Sequence, residues 1–229
     1  PIESEKQREI EKQGFGEDIL TVKLLNFRNI DQVAEEAGKF DFVLADLGVS
    51  SMQIDNPERG FSYKVDGPLD LRMNPQKGIS AAERLKEVTQ EELYGMLLEN
   101  ADEPYAEEIS KAVIRQRRIR PIETTTDLKQ VIEQALSFIP EKERKEAVKK
   151  SCQRSFQALR IDVNSEFEVL YDFLDKLPQV LAPNGRTAIL TFHSGEDRLV
   201  KKSFKQFYKE GIYSDICKDV IRPSQEECA

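Results

Sequence analysis

The sequence predicts an α/β fold in which a parallel sheet is interrupted by a long helical segment. Apolar runs at 41–46 and 186–192 predict buried strands, and helical patterns flank each of them. From Gly78 a long stretch contains helix signals and no strand pattern. We therefore divide the chain into a first part of the sheet domain (1–77), an all-helical insertion (78–150) and a second part of the sheet domain (151–229).

Helix and strand signals alternate along the amino-terminal part. Pro1 suits a first helical turn, Gly14 suits a helix end, and Asp31 is suited to capping a short helix. This alternation is typical of a doubly wound sheet. The predicted elements are a helix over 1–13, a strand over 19–26, a helix over 32–37 and the strand over 41–46.

The predicted insertion is marked by repeated helix starts. Ser80 with Glu83, and Thr89 with Glu92, have the spacing of capping boxes. The predicted helices cover 81–88 and 90–99, then begin at Pro104, Thr126 and Pro140. After them come a helix from Ser165, a turn over 181–185, the strand over 186–192, a helix over 197–208 and a strand near 216–221.

The strand at 41–46 ends at Asp46 and is followed by a long polar loop. The carboxyl ends of strands in open α/β sheets are where ligands bind. The loop also carries apolar residues such as Phe61 and Tyr63, which a disordered linker would not need. We therefore predict an ordered loop over a pocket. From the pattern alone, Asp46 could equally cap a helix, and Gln53 could be an ordinary loop hydrogen-bonder.

Composition limits the class of protein. The 229 residues are 39% hydrophobic and 33% charged, which indicates a soluble globular chain. No apolar run is long enough to span a membrane, and the three cysteines are sparse, so we expect a cytoplasmic location. The net charge of −8 argues against a general nucleic-acid binder and leaves room for a local basic patch. One histidine excludes a multi-histidine metal site within the chain, and we predict no metal.

Two segments carry a family resemblance. LADLGVSSMQID at 44–55 and ERGFSYKVDGPLDLRMN at 58–74 resemble the signature of the bacterial ribosomal RNA small subunit methyltransferase H (MraW) family. The segment 154–160 also matches the family, which has Leu where this chain has Gly195. The resemblance implies a Rossmann-like, S-adenosylmethionine-dependent methyltransferase sheet. It further implies methyl transfer to the exocyclic N4 amine of a cytidine in 16S rRNA of the small ribosomal subunit.

The resemblance also implies particular site residues. Asp46 and Gln53 would contact S-adenosylmethionine, and Phe27 would pack on its adenine, although Phe27 alone suggests plain core. No general base is identified. For the RNA substrate we predict contacts from Asp70, Arg72, His193, Arg115, Arg117 and Arg118. The alternatives are a surface ion pair for the first two, a structural histidine for His193, and a solvated helix face for the three arginines at 115–118.

Some family features are not matched by this sequence. The glycine-rich loop of the family should precede Pro1, and its basic tail should follow Ala229. We therefore expect a sheet that is incomplete at the amino terminus and a chain that by itself binds S-adenosylmethionine weakly or not at all. Two alternatives stay open: a methyltransferase with another substrate, and a non-catalytic interaction module. We expect no membrane partner, and a homodimer is left open.

Overall fold

The computed structural model describes residues 8–14, 16, 19–222, 224 and 226. Short 3-10 helices lie at Phe27–Asn29 and Pro57–Arg59, and residues 8–11 are helical. The described residues contain two strands, β1 (Phe40–Asp46) and β2 (Leu181–Leu190). The longer helices are α1 (Ile30–Ala37), α2 (Ser51–Asp55), α3 (Ala81–Glu87), α4 (Gln90–Ala101), α5 (Ala106–Arg117), α6 (Thr125–Ala135), α7 (Glu141–Asn164), α8 (Glu166–Val180) and α9 (Ser194–Lys209).

The strands β1 and β2 are neighbours in one small parallel sheet. The Leu47 N–H, just after β1, donates at 3.2 Å to the carbonyl oxygen of Leu190, the last residue of β2. Val43 is 8% exposed, whereas Leu44, on the opposite face, is 58% exposed. The prediction of a strand at 41–46 is confirmed. The expectation that this strand is buried is wrong for one of its faces, which is open in the described part of the chain.

The chain divides into two compact units. The first contains the described residues up to Val43 together with Tyr171–Thr187. Within it, the Phe27 ring meets Phe173 edge-on with centroids 5.2 Å apart, and Lys176 Nζ donates to Asp31 Oδ1 at 2.9 Å. The second contains Leu44–Leu170 and the described residues from Ala188 onward. Its apolar core is built mainly by α3 to α7.

The helix signals in the middle of the chain are largely confirmed. The backbone N–H groups of Ser80 and Thr89 donate to the carboxylates of Glu83 and Glu92, each at 2.8 Å, so both capping boxes form. The predicted cap at Thr126 is wrong, because Thr124 caps α6 through a reciprocal pair of 3.1 Å bonds with Asp127. Helix α7 runs unbroken through residue 150, and the predicted division into domains stays a prediction.

Two predicted strands are absent. Residues 19–26 and 216–221 adopt no strand, because their apolar side chains do not find the burial that a strand requires; Leu24 is 73% and Ile221 is 84% exposed. The predicted amino-terminal helix lies partly outside the described residues, because residues 1–7, including Pro1, are not among them. Strand β2 ends at Leu190, which leaves Phe192 and His193 beyond it. In the part of the chain with described coordinates, no helix is both long and apolar enough to cross a membrane.

Candidate active site

A cavity of about 310 Å³ opens at the carboxyl ends of β1 and β2. Gly48 and Val49 follow β1 into its wall, and Phe192 and His193 follow β2. This position is where open α/β sheets bind ligands. We call it the strand-end cavity. Its other lining residues are Ile54, Phe61, Tyr63 and Leu71 from the loop after β1, and Gln153, Phe156, Gln157 and Arg160 from α7.

The loop that forms one wall is ordered, as predicted. At Gly60 the backbone has a left-handed φ of 69°, and an added Cβ would lie 2.2 Å from Pro68 O, so only glycine allows this crossing of the chain. Arg59 Nη2 donates to Arg72 O and Met73 O, both at 2.8 Å. These bonds close the loop on itself and place Phe61 and Tyr63 at the cavity.

Asp70 and Arg72 stabilise the same loop. Arg72 Nε and Nη2 donate to the two Asp70 oxygens at 2.8 and 2.7 Å, and Arg72 Nη1 donates to Gly78 O at 3.0 Å. Burial acts to raise the Asp70 pKa, but the hydrogen bonds and charge of Arg72 lower it overall. The pair is therefore a bidentate ion pair, and neither side chain lines the strand-end cavity.

Asp46 and Gln53 lie beside the cavity rather than in its wall. Asp46 is the last residue of β1 and is exposed. Gln53 Oε1 accepts from the Ser50 N–H at 3.0 Å and thereby caps α2. Its Nε2 amide group takes no part in that contact. Phe27 belongs to the other compact unit, where its ring is 41% exposed.

Arg160 and Glu166 form a largely buried pair behind the cavity. Arg160 Nε and Nη2 donate to the two Glu166 oxygens at 2.8 and 3.0 Å, and the side chains are 15% and 11% exposed. Burial raises the Glu166 pKa, and the charge and hydrogen bonds of Arg160 oppose that rise. The carboxylate therefore depends on its guanidinium partner.

His193 and Glu196 form the adjoining pair at the start of α9. The Glu196 N–H donates to His193 Nδ1 at 3.4 Å, so His193 acts as the N-cap, and Nε2 lies 3.3 Å from Glu196 Oε1. Glu196 Oε2 also accepts from the Phe192 N–H at 2.8 Å. Burial acts to raise the Glu196 pKa, but His193 and the Phe192 N–H lower it overall. Glu196 thus holds two residues that line the cavity.

Gly195 explains how these groups fit together. A Cβ at this position would lie 2.6 Å from Phe167 Cζ and 3.1 Å from His193 Nδ1. Gly195, where the family pattern has Leu, therefore leaves room for the Phe167 ring beside His193. The centroids of these two rings are 6.0 Å apart.

Ligand atoms of Glu166, His193 and Glu196 all lie within 4.8 Å of one another, which is a spacing that a metal ion could use. Both Glu166 oxygens already accept from Arg160, and the ring of His193 is engaged by Glu196. The group is therefore arranged as an ion-pair network rather than an open ligand set. We call Arg160, Glu166, His193 and Glu196 the four-residue network.

The predicted basic cluster does not act as one surface. Arg117 Nη1 donates to Leu85 O at 3.0 Å and to Val88 O at 2.5 Å, so it binds the carboxyl end of α3. Arg115 and Arg118 are exposed on α5 and just after it. His193, a candidate named from the sequence, lines the strand-end cavity, and so does Arg160, which belongs to a second basic group in the sequence.

Glu166, Glu196, Gln153 and Gln157 were not identified from the sequence. The spacing of 153, 157 and 160 would have placed three polar side chains on one face of a helix. The carboxylates gave no comparable signal, because they lie in acidic first turns of helices, where such residues are common.

Comparison with known proteins identifies the family. A model of the MraW methylase family matches residues 5–229. The ribosomal RNA small subunit methyltransferase H 1 of Lachnoclostridium phytofermentans is 69% identical over 230 residues, covering 100% of this chain and 63% of that protein. The protein of the same name from Agathobacter rectalis is 67% identical over 231 residues, covering 100% of this chain and 66% of its own length. This chain thus spans just under two thirds of those relatives, and it belongs to the MraW methylase family.

Proposed function

We propose that this protein transfers a methyl group from S-adenosylmethionine to the exocyclic N4 amine of a cytidine in 16S rRNA of the small ribosomal subunit, in the cytoplasm. The observation that carries the proposal is the strand-end cavity, which lies beyond the carboxyl ends of β1 and β2 in a member of this family. We also propose that the sheet is Rossmann-like and that residues 78–150 form an inserted helical domain. Homodimer formation stays an expectation from the sequence.

Three residues are proposed to hold the cofactor. Asp46 is exposed at a strand end and can accept from a donor or cation, Gln53 retains its Nε2 amide as a donor, and part of the Phe27 ring is open for stacking. These properties fit a nucleoside ligand with a charged end. When bound, S-adenosylmethionine supplies an electrophilic methyl group on a sulfonium centre.

The protein's task in such a transfer is to align the acceptor and exclude water. A cytosine amine is a poor nucleophile, because its lone pair is delocalised into the ring. Acceptors near its two hydrogens favour the pyramidal form and stabilise the positive charge that develops on nitrogen. The cavity wall offers such acceptors in the side-chain amides of Gln153 and Gln157. The proton can pass to water after the transfer, so we assign no general base.

Access to the cavity requires the target base to leave its stack. Arg115 and Arg118 are the exposed cations we propose for phosphate contact, with Arg117 as a positional support. Asp70 and Arg72 are proposed to act on the substrate indirectly, by fixing the loop that carries Phe61 and Tyr63.

A chimera tests this proposal directly. The segment of the Lachnoclostridium phytofermentans methyltransferase that aligns with this chain is replaced by these 229 residues, and transfer of labelled methyl to unmodified small subunits is measured. We expect activity on small subunits, with the label recovered as N4-methylcytidine. The Asp46→Asn chimera should bind S-adenosylmethionine at least about tenfold more weakly, because a charge-assisted hydrogen bond contributes roughly 1.5–3 kcal/mol.

Asp41→Asn is the matched control, since Asp41 is exposed on the same strand and distant from its carboxyl end. It should leave cofactor affinity unchanged. A folded chimera that methylates no RNA, or that labels another base, would contradict the proposed function.

A further inference from the structure

We propose that the strand-end cavity holds the target pyrimidine and that Arg160 and Gln157 read its hydrogen-bonding edge, so that cytosine is selected over uracil. This inference rests on the proposed function and names the part of the chain that decides which base is accepted. It assigns specificity to α7, away from the loop that carries the family signature.

The shape of the cavity suits a flat ring. Aromatic side chains enter it from two directions, with Phe61 and Tyr63 from the loop and Phe192 from the residues after β2. Phe192 is 70% exposed, and its Cδ2 lies 3.5 Å from the place where a Cβ of Gly48 would be, so the ring lies beside Gly48 at the cavity mouth. Aromatic faces bind bases by stacking, which tolerates any base and therefore does not select one.

The polar wall can supply the selection. Residues 153, 157 and 160 occupy one face of α7 and all line the cavity. Gln157 Nε2 donates to Asn100 O at 3.2 Å. Because a carbonyl can only accept, that contact fixes the amide, and Oε1 is the end left as an acceptor.

Arg160 supplies the hydrogen-bond donor. Its Nε and Nη2 are engaged by Glu166, and Nη1 takes no part in that pair, so it is available as a donor. The bidentate pair fixes the plane of the guanidinium, which makes the donor directional.

Together these two groups match one pyrimidine. Cytosine presents the 4-amine as a donor and N3 and O2 as acceptors, which complements Gln157 Oε1 and Arg160 Nη1. Uracil presents O4 as an acceptor and N3–H as a donor. The Gln157 Oε1 acceptor would then face O4, and the Arg160 Nη1 donor would face N3–H. Unpaired buried polar groups are costly, so the mismatch should reject uracil.

The Glu166 partner gives a reason for the pairing. A lone cation beside the base would disfavour the positive charge that develops on the amine during methyl transfer. Glu166 accepts two hydrogen bonds from Arg160 and offsets its positive charge, while Arg160 Nη1 is left as a donor. Such a pair can read the ring edge without opposing the reaction.

The single histidine of the chain gives a clean test. His193 lines the cavity, so its ring signals in a nuclear magnetic resonance spectrum report occupancy without ambiguity of assignment. Cytidine 5′-monophosphate is titrated into this 229-residue chain, and uridine 5′-monophosphate is titrated in parallel. We expect the His193 signals to shift saturably with the cytidine nucleotide and the affinity for the uridine nucleotide to be about tenfold lower.

Two variants locate the selectivity. Arg160→Lys keeps a cation for Glu166 but loses the fixed donor, so the two nucleotides should bind within about twofold of each other. Gln157→Leu removes the acceptor and should weaken cytidine binding about fivefold, whereas uridine binding should not weaken, because the acceptor that opposes O4 is also removed. Arg84→Lys is the control, because Arg84 forms a similar pair with Asp162 at 2.9 Å and does not line this cavity.

The outcomes separate this inference from the proposed function. Equal affinity for both nucleotides, no shift of the His193 signals, or full selectivity in both folded variants would overturn it. If the chimera methylates small subunits but the two nucleotides bind equally, or the His193 signals do not shift, the proposed base pocket is wrong and the proposed function stands. If cytidine is selected by α7 but no RNA is methylated, the pocket stands and the proposed function falls.

Discussion

The signature loop and the four-residue network, which both adjoin the strand-end cavity, are held in place to very different degrees. Asp46 is exposed at the end of β1, and Gln53 makes its capping contact within its own turn. The network instead joins α7, the start of α8 and the start of α9 through side chains that are each at most 15% exposed. Asp46 and Gln53, the two signature residues proposed to contact the cofactor, are therefore less embedded in the fold than the network residues.

This difference has a physical reason. A side chain that is to bind a ligand must keep unused hydrogen-bonding capacity, and unused capacity adds nothing to folding stability. Most polar groups of the network contact one another and so shape the cavity wall, and Arg160 Nη1 is the donor that this pairing leaves for a ligand. Substitutions should therefore separate the two regions, with large effects on stability in the network and small ones at Asp46 and Gln53.

The largest effect is expected for Arg160→Leu. It leaves Glu166 buried without its cation, and breaking such a pair should lower the free energy of unfolding by about 3 kcal/mol at pH 7. The change in the free energy of unfolding is measured by urea denaturation, with circular dichroism as the signal. The loss should shrink toward pH 5, because burial raises the Glu166 pKa and a protonated Glu166 needs no partner.

Arg84→Leu is the matched control for that measurement. Its pair with Asp162 also links two helices, but the two side chains are 26% and 27% exposed. Water can replace part of the lost interaction, and the expected loss is about 1 kcal/mol. Equal losses for the two variants would contradict the contrast between the network and its surroundings.

An intermediate effect, with a defined pH dependence, is expected for Glu196→Gln. The native pKa of Glu196 lies below its ordinary value of 4.5, so its carboxylate contributes stability above that pH and loses it as the pH falls through the native pKa. We expect a loss of about 2 kcal/mol at pH 7, because the hydrogen bond from the Phe192 N–H to the carboxylate and the 3.3 Å contact with His193 Nε2 are both weakened. The difference from the unsubstituted chain should approach zero below the native pKa.

Asp197→Asn provides the comparison, since Asp197 is the neighbouring carboxylate and its Lys201 pair is at the surface. It should change stability by less than about 0.5 kcal/mol. A Glu196→Gln loss that is constant from pH 7 to pH 3 would show that the charge has no role in holding Phe192 and His193.

The sequence predicted local features well where the cause of a feature is local. The capping boxes at Ser80 and Thr89 formed as expected, and β1 ended at Asp46. The strand expected at 19–26 failed because a strand depends on burial by distant parts of the chain, which the segment itself does not encode.

The cavity wall could not be predicted for a similar reason. Arg160 and Glu166 are close in sequence, but His193 reaches them through the return of the chain along β2. No spacing rule places a residue near 160 beside one near 193. The signature located the region of the site, whereas the residues that give it shape depended on tertiary contacts.

Among the substitutions within the two compared regions, Gln53→Ala is expected to have the smallest effect on stability, and it sharpens the comparison most. The variant loses one capping contact to Ser50, which should cost about 0.5–1 kcal/mol. Glu92→Ala loses the equivalent contact to Thr89 in α4 and should cost the same. In the chimera, Gln53→Ala alone should also weaken S-adenosylmethionine binding, measured by isothermal titration, by about tenfold. If both variants bind the cofactor normally, Gln53 is a helix cap and nothing more, and the signature loop holds the cofactor through other groups.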